Sequence, residues 1–382
     1  MRVVSGMALL SGMNPSYQRD GNCQLGPFSA APAACYKAAM VKSASARRNL
    51  AALVLVMAAL PCSPAPLERT AFNLLGTACT VRIYAGGDAR ALDAAFARLS
   101  EIDARMSVQR ADSEISRVNA ASGRKPVTVS ADVLAVAKIG LQYSGLGDGA
   151  FDVTVEPLVK LWGIGTASAR IPRPEEIRAA LPSINWRNVR VDEKLSTIFL
   201  EKTGMGLDLG AVAKGWAADD TARVLREHGV TTSLIDLGGN ILATGRKPDG
   251  SRWRIAIQNP EEPRGTSIGY VHITGGSVTT AGTYERFFDQ GGKRYFHILD
   301  ARTGSPAWNG LNAVAIVAPD STTADGYDTL VFTLGLQKGR KLVEDTRGLV
   351  EAVFITDTRK VSVTAGLASR FTLTDPRFTI VR

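Results

Sequence analysis

Short β-rich runs, separated by turn-forming glycine, proline and aspartate residues, fill most of the chain after residue 67 and constrain the fold more than any other feature. Strands are predicted within 68–84, where Gly76 interrupts them, and at 230–237, 252–258, 268–274, 294–299, 313–318, 349–356 and 360–366. Strands that outnumber helices and are joined by short turns predict an α+β fold with largely antiparallel sheets and packed helices.

Helical periodicity marks other segments. In 89–106 the apolar residues recur near helical spacing, at Leu92, Ala95, Leu99 and Ile102. Further helices are predicted at about 130–145, at 211–228 before Gly229, at about 322–336 ending near Gly335, and at 338–347. The prolines and charges of 171–201 predict a loop followed by a hairpin.

The first 66 residues differ in charge from the rest of the chain. They contain six of the 45 Lys and Arg residues but one of the 36 acidic residues. Lys42, Arg47 and Arg48 precede the apolar run Leu50–Leu60, a pattern typical of a secretory signal that is too short to span a membrane. We therefore expect residues 1–66 to be an extension and export signal, with the true start at Met40, and 67–382 to be the folded domain. A buried N-terminal helix is the alternative.

Several classes of site are excluded by composition. Of the four cysteines, only Cys79 clearly lies in the predicted domain, which leaves it without a disulfide partner, and three histidines in all argue against a histidine-rich zinc site. After residue 66 the positive excess is small and forms no basic block, so nucleic-acid binding is not expected. No apolar segment reaches about 18 residues, so we expect no transmembrane span.

The glycine-rich segment 204–215, GMGLDLGAVAKG, is the first candidate site. Glycine-rich backbone that ends a strand and opens a helix can place N–H groups against phosphate oxygens, and Lys214 could add a positive charge to the same anion. The segment matches neither the Walker pattern nor GxGxxG. The alternative is structural: Asp208 only caps the helix, and the glycines only permit close packing.

A second candidate lies in STTADGYDTL, residues 321–330. On a helix, Asp325 and Thr329 are four residues apart and share one face, where a carboxylate and a hydroxyl suit Mg²⁺. The alternative is that Thr322 and Asp325 form a capping box and that Thr329 bonds its own helix backbone.

His297 is the third candidate. It lies in the apolar segment RYFHILDARTGSP, where an imidazole could accept a hydroxyl proton near neutral pH. The alternative is a histidine that is part of the core. By themselves, the stretches 106–119, 149–165 and 236–240 indicate a helix cap, core aromatics and a strand-ending turn.

Six strings occur together and in order: MSVQRADSEISRVN, FDVTVEPLVKLWGIG, LDLGAVAKG, DLGGNILATG, HILDARTG and TTADGYDTLVF. Through them the chain resembles the ApbE-like FAD:protein FMN transferases from about residue 70 to residue 370. The resemblance implies two T-fold-like lobes. It also implies FAD contacts at Met106, Ala150, Phe151, Asp152, Asp208, Lys214 and Ile298. Mg²⁺ would be bound by the carbonyl of Ala211 and the side chains of Asp325 and Thr329, and His297 would be the general base.

Two segments depart from the family pattern. The chain has TAGTYERFF where the family commonly has TSGDYERYF, and HILDARTG where it has HIIDPRTG. Ala281 and Thr283 thus replace a serine and an aspartate, and Ala301 replaces a proline. Losing the serine hydroxyl and the aspartate carboxylate could weaken the positioning of the substrate.

The activity implied by the resemblance is Mg²⁺-dependent transfer of the FMN moiety of FAD to a Ser or Thr hydroxyl of an acceptor protein, with release of AMP. The acceptors would be flavoprotein subunits of membrane electron-transfer complexes. Two alternatives stay open: an FAD pyrophosphatase, in which water replaces the acceptor, and a non-catalytic exported FAD-binding protein. Since the family lies outside the cytoplasm, we expect a periplasmic protein or one anchored to the outer face of the inner membrane. Cys62 is a possible lipidation site, although Pro61 stands where a small residue is normally needed.

Overall fold

A nine-stranded sheet runs through residues 65–381, the part of the chain that the computed structural model describes. The predicted export signal, Met40 and Cys62 lie outside the described residues. The domain start predicted at residue 67 and the two T-fold-like lobes remain predictions.

The helices and strands have the following bounds. The helices are α1 (Ala89–Met106), α2 (Glu114–Ala120), α3 (Ala131–Leu146), α4 (Glu156–Trp162), α5 (Pro174–Ala180), α6 (Ala213–Glu227) and α7 (Ser321–Glu344). The strands are β1 (Leu67–Leu74), β2 (Thr77–Gly86), β3 (Val127–Thr128), β4 (Val189–Asp192), β5 (Thr197–Leu200), β6 (Val230–Leu237), β7 (Ile241–Thr244), β8 (Trp253–Gln258), β9 (Ser267–Ile273), β10 (Gly276–Gly282), β11 (Phe287–Gln290), β12 (Lys293–Phe296), β13 (Leu299–Asp300), β14 (Ser305–Pro306), β15 (Leu311–Ala318), β16 (Glu351–Thr356), β17 (Lys360–Val363), β18 (Phe371–Leu373) and β19 (Thr379–Val381).

The large sheet has the order β1-β2-β6-β7-β10-β15-β16-β17-β19. Its neighbouring strands pair antiparallel, except for the parallel pair β17 and β19. Two three-stranded sheets, β18-β9-β8 and β3-β5-β4, and the hairpins β11–β12 and β13–β14 are also antiparallel. The predicted α+β class with largely antiparallel sheets is confirmed.

Strand β15 shows how the sheet is covered on both faces. Successive side chains of a strand point to opposite faces. Accordingly, Ala313 and Ala315 belong to a core that also contains β8 and β9, whereas Val314 and Ile316 pack in a second core with Phe332 of α7. This second core fixes α7 against the sheet.

Most predicted elements are present. Helices α1, α3 and α6 match their predicted ranges to within about two residues. The two helices predicted on either side of Gly335 form one element, α7, which is interrupted by non-helical backbone at Gly335 (φ 78°, ψ 176°). The predicted hairpin within 171–201 is β4–β5, but α5 precedes it and was not predicted, nor were β7, β10 and β11. None of the helices in residues 65–381 combines the length and apolarity that crossing a membrane requires.

Close contact between α6 and α7 positions the side chains of the candidate site. A Cβ at Gly215 would lie 2.2 Å from the carbonyl oxygen of Ser321, so the absence of a side chain lets the helices approach. The carboxylate of Asp219 on α6 accepts hydrogen bonds from the backbone N–H groups of Ser321 and Thr322, at 2.9 and 2.7 Å. These bonds satisfy donors that the first turn of α7 leaves free.

Candidate active site

A cavity of about 680 Å³ gathers residues that are far apart in the sequence. Its volume lies in the range of small-molecule sites. Most of the predicted site residues line it, namely Met106, Phe151, Asp152, Asp208, Ala211, Lys214, His297, Ile298, Asp325 and Thr329. Ala150 is the exception, because it is fully buried beside the cavity and its carbonyl accepts a hydrogen bond from the backbone N–H of Ala301 at 2.9 Å.

Asp325 connects α7 to α6. One carboxylate oxygen accepts a hydrogen bond from the ammonium of Lys214 at 2.8 Å, and the other accepts one from the backbone N–H of Gly215, also at 2.8 Å. Asp325 is 1% exposed. A buried carboxylate with two such donors is held in one orientation.

The capping-box interpretation of Thr322 and Asp325 is wrong. The N-cap of α7 is Asp320, whose carboxylate accepts a hydrogen bond from the backbone N–H of Thr323 at 2.7 Å. Asp325 lies more than one turn further along and faces the cavity instead. Nor does the Thr329 hydroxyl bond its own helix backbone, since it donates to the carboxylate of Asp328 at 3.0 Å.

The carbonyl of Ala211 lies just before α6. Ala211 precedes Val212, the N-cap of the helix, and the N–H of Gly215 is one of the first-turn donors that have no acceptor within the helix. Here that N–H donates to Asp325, and within residues 65–381 no backbone N–H donates to the Ala211 oxygen. An unpaired carbonyl therefore lies at the cavity wall beside α7.

Two acidic side chains of α7, Asp325 and Asp328, influence the pKa values of the groups at this wall. Burial and the nearby carboxylate of Asp325 raise the pKa of Asp328. Burial disfavours the charged form of Lys214, but Asp325 and Asp328 outweigh it, so the pKa of Lys214 is raised. Lys214 therefore stays an ammonium ion in the cavity.

His297 lies between β12 and β13, not inside one strand as predicted. Burial, together with the positive charges of Arg286 and Lys214, lowers the pKa of His297 to about 4, so the imidazole is neutral near pH 7. Its Nδ1 is buried and has no hydrogen-bond partner within residues 65–381. His297 lines the cavity, and its backbone N–H donates to the carbonyl of Arg286 at 3.1 Å.

Asp208 and Asp152 have different surroundings. The helix-cap alternative for Asp208 is wrong, because α6 has its N-cap at Val212, and Asp208 instead accepts from the N–H of Gly210 at 2.8 Å. Burial raises the pKa of Asp208. Both oxygens of Asp152 are used inside the protein, by the N–H and hydroxyl of Thr154 and by the N–H of Trp186.

The departures from the family strings lie at different distances from the cavity. Ala281 lines the cavity, on β10. Thr283 is buried away from the lining and its N–H donates to the carbonyl of Asn312 at 3.0 Å. Ala301 is buried and bonded to Ala150. Of the three, Ala281 is therefore the one that removes a hydroxyl from the cavity wall.

The polar residues that line the cavity and were not assigned to the site from the sequence include Asp328, Arg286 and Asn240. Asp328 could have been found, because it is three residues from Asp325 on the same helix. The carbonyl oxygen of the Asn240 side chain accepts from the hydroxyl of Ser321 at 2.6 Å, and its nitrogen has no partner within the described residues. Nothing local in the sequence indicated this contact across 81 residues.

A metal centre built from several acidic or histidine side chains is not present in residues 65–381. They contain no group of three or more His, Cys, Asp or Glu side chains that could hold an ion. Cys79 is buried and forms no disulfide within residues 65–381.

Comparison with known proteins identifies the family. The model of the ApbE family matches residues 75–354. The chain belongs to the ApbE family. It is 36% identical over 308 residues to an ApbE relative from Klebsiella pneumoniae (strain 342), named FAD:protein FMN transferase, covering 81% of this chain and 95% of that one. A protein of the same name from Treponema pallidum (strain Nichols) is 36% identical over 326 residues, covering 81% of this chain and 90% of that one.

Solved structures of ApbE proteins share the fold. The ApbE protein from Thermotoga maritima is 30% identical and has a TM-score of 0.72, covering 79% of this chain and 97% of that one. The flavinyl transferase ApbE from Pseudomonas stutzeri is 31% identical with a TM-score of 0.67, covering 82% and 95% of the two chains. The flavin transferase ApbE from Vibrio cholerae is 28% identical with a TM-score of 0.70, covering 80% and 99%.

Proposed function

We propose that this ApbE-family protein is an enzyme that moves the FMN half of FAD onto a Ser or Thr hydroxyl of an acceptor protein and releases AMP. One observation carries the proposal: a single cavity brings together a neutral imidazole, an ammonium and a set of oxygen donors. The first is suited to take a proton, the second to hold phosphate, and the third to bind a cation. Relatives named FAD:protein FMN transferase support this assignment.

Mg²⁺ fits the wall between α6 and α7. The groups there are oxygen donors, which Mg²⁺ prefers: the carboxylate of Asp325, the hydroxyl of Thr329 and the free carbonyl of Ala211. The free carbonyl supports the fit, since within residues 65–381 no backbone N–H donates to the Ala211 oxygen. When bound, the ion would neutralise negative charge on the diphosphate.

The protein's own positive groups would hold the phosphates. Lys214 is the second residue of α6, and α6 has no side chain capping its N-terminus. The N-terminal end of a helix carries a partial positive charge and free N–H groups, which attract phosphate. Lys214 adds a full charge, and its bond to Asp325 fixes where that charge lies.

His297 would accept the proton of the attacking hydroxyl. A bond forms between the acceptor oxygen and the FMN phosphorus, while the bond from that phosphorus to the oxygen of AMP breaks and its electron pair leaves with AMP. The proton moves from the hydroxyl to the imidazole. A neutral ring at pH 7 is the form that can accept it, and a positioned base of this kind typically contributes about 10²–10⁴-fold to the rate.

One assay separates the candidate activities. The full chain is incubated with FAD, Mg²⁺ and a candidate acceptor, and both AMP and covalent flavin on the acceptor are followed. Transfer predicts both products in equal amounts. AMP without labelled acceptor would assign the FAD pyrophosphatase reaction, and bound FAD with no AMP would assign a non-catalytic flavin-binding protein.

We also propose export and a periplasmic or membrane-anchored location. The basic residues Lys42, Arg47 and Arg48 before the apolar run Leu50–Leu60 support this. The acceptors would then be flavoprotein subunits of membrane electron-transfer complexes. Cell fractionation and N-terminal sequencing test the location: a mature chain that keeps residues 40–60 in the cytoplasm would contradict it.

A further inference from the structure

Four cations line the cavity, and one of them differs from the rest. Lys160, Lys214 and Arg264 each form an ion pair, with Glu156, Asp325 and Glu285 respectively. Arg286 has no carboxylate at ion-pair distance within residues 65–381. Its guanidinium donates one hydrogen bond, to the carbonyl oxygen of Gly76 at 2.9 Å. Among the cavity cations of the described residues, Arg286 is therefore the one without a carboxylate at ion-pair distance.

The chain makes room for this side chain on two sides. Gly76, in the turn between β1 and β2, has φ 69°, and Gly165, after α4, has φ 86°. A Cβ at Gly165 would lie 3.1 Å from Cδ of Arg286, and a Cβ at Gly76 would lie 3.0 Å from its Nη2. Packing between two glycines holds the side chain at the cavity, so less rotamer freedom is lost when it binds a ligand.

Arg286 also lies beside the groups that would act on phosphate. Its backbone carbonyl accepts the N–H of His297. The positive charge of Arg286 acts to lower the pKa values of His297, Asp208 and Lys214. Burial has a larger effect than Arg286 on each of the three. Lys214 and Arg286 thus place two positive charges around one imidazole.

We propose that Arg286 is a substrate-binding residue that donates to the diphosphate of the flavin dinucleotide. The inference rests on the proposed function, because it takes FAD as the ligand. A diphosphate carries one negative charge on each phosphate, and Lys214 supplies a single compensating ammonium that Asp325 already shares. The fork of N–H donors on a guanidinium matches phosphate oxygens. Arg286 would supply the second positive charge for the diphosphate and would not be needed to bind the flavin ring.

Equilibrium binding to the full chain, in the presence of a chelator, tests this without acceptor or turnover. The ligands are riboflavin, which has no phosphate, FAD, and ADP. Arg286→Gln is compared with the wild-type protein and with Arg294→Gln. Arg294 is the matched control, because it lies on the β11–β12 hairpin outside the cavity lining and pairs with Asp289.

Arg286→Gln should weaken FAD and ADP about tenfold to a hundredfold, the usual range for a hydrogen bond to a charged group, and leave riboflavin unchanged. Arg294→Gln should bind all three as the wild type does. An equal loss of riboflavin and FAD affinity, or no loss of either, would overturn the proposal. Arg286 would then only join its own loop to the turn at Gly76.

Arg286→Lys keeps the charge and decides the case if the glutamine variant does not fold. Because the charge is kept but the fork of donors is lost, Arg286→Lys should bind FAD more tightly than Arg286→Gln and less tightly than the wild type, with riboflavin binding unchanged. An equal loss of FAD and riboflavin affinity in Arg286→Lys would contradict a phosphate-binding role. The result is separable from the proposed function. If Arg286→Gln weakens FAD and ADP but not riboflavin, while the wild type labels no acceptor, the role of Arg286 is supported and transfer is rejected. If the wild type labels an acceptor while Arg286→Gln binds all three ligands as the wild type does, transfer is supported and the role of Arg286 is rejected.

Discussion

At the residue scale Asp325 fixes Lys214 and accepts the N–H of Gly215, and in the proposed function it would also offer oxygen to a cation. Asp325→Ala should abolish Mg²⁺-dependent turnover, with a loss of at least about 10²–10³-fold, typical of removing one well-placed electrostatic group. AMP release measured against Mg²⁺ concentration checks this. Asp345→Ala, an exposed carboxylate just after α7, is the control. Full Mg²⁺-dependent activity in Asp325→Ala would remove the proposed metal site.

His297→Ala should slow transfer about 10²–10⁴-fold while leaving FAD affinity nearly unchanged, because the ring would act on the hydroxyl proton and not on the dinucleotide. Its buried Nδ1 has no partner to lose. Single-turnover labelling and FAD titration measure the two effects separately. The control is His272→Ala, on β9 outside the cavity lining. A His297→Ala variant that unfolds would show that the residue belongs to the core.

The lowered pKa of His297 also makes stability depend on pH. In the folded protein the ring titrates at about 4, against about 6.5 in an unfolded chain. Between these values the unfolded state binds more protons, so the free energy of unfolding falls as pH drops from about 6.5 toward 4, by at most about 1.4 kcal/mol per pH unit. Urea unfolding of the wild type and His297→Gln should therefore converge at low pH. If the difference in the free energy of unfolding between the two proteins does not change with pH, the lowered pKa of His297 is contradicted.

Local patterns predicted some of these residues correctly and misjudged others. The i, i+4 spacing of Asp325 and Thr329 indicated a shared face, and both line the cavity. Asp325 also fitted a capping box with Thr322, but that interpretation failed because the N-cap of α7 is Asp320, two residues before Thr322. Arg286 lies in the string TAGTYERFF and is retained from the family pattern, but only the structure shows that no carboxylate of the described residues is at ion-pair distance from it.

At the scale of elements, the contact between α6 and α7 decides whether the site forms. Gly215→Ala would place a Cβ 2.2 Å from Ser321 O and 2.6 Å from Cβ of Asp325. We expect the helices to be forced apart, with a loss of about 1–3 kcal/mol in the free energy of unfolding, as overpacking typically costs. Turnover should fall as well, because Asp325 would move away from Lys214.

Gly145→Ala is the matched control for this change. Gly145 also lies in a helix, α3, but its added Cβ would meet Trp186 at 3.7 Å, an ordinary contact. Since alanine favours helix, this variant should unfold at equal or higher urea concentration. Equal effects of the two substitutions would show that close approach at Gly215 is unimportant.

The elements β10 and α5 were missed for different reasons. Strand β10 reads GSVTTAG and lies in the middle of the large sheet, so pairing with β7 and β15 overrides weak β-propensity. Helix α5 has Pro174 in its first turn and acidic residues after it, a start signal that was present but lay among residues predicted as loop. In contrast, α1 and α3 carry strong caps or periodicity and were predicted from sequence alone.

For the whole molecule, the elements follow from local chemistry, but the cavity depends on the order of the strands. Pairing β10 between β7 and β15 brings segments together that lie far apart in the chain, and no local rule gives that order. The resemblance to the ApbE family supplied what periodicity could not, by naming residues from Met106 to Thr329 as parts of one site. Their common location in the cavity follows from the topology, whereas their individual roles remain proposals.

Because the cavity joins these distant segments, its ligands should stabilise the whole described unit. A ligand that binds the folded state alone raises the free energy of unfolding by about 2.7 kcal/mol at a hundred times its Kd. FAD and Mg²⁺ would share the wall at Asp325 and Thr329, so the stabilisation by FAD should be larger with Mg²⁺ than with a chelator. Thermal unfolding across FAD concentrations, with each addition alone and combined, measures this. In Asp325→Ala the dependence on Mg²⁺ should disappear while a stabilisation by FAD remains, and an unchanged dependence would place the ion elsewhere.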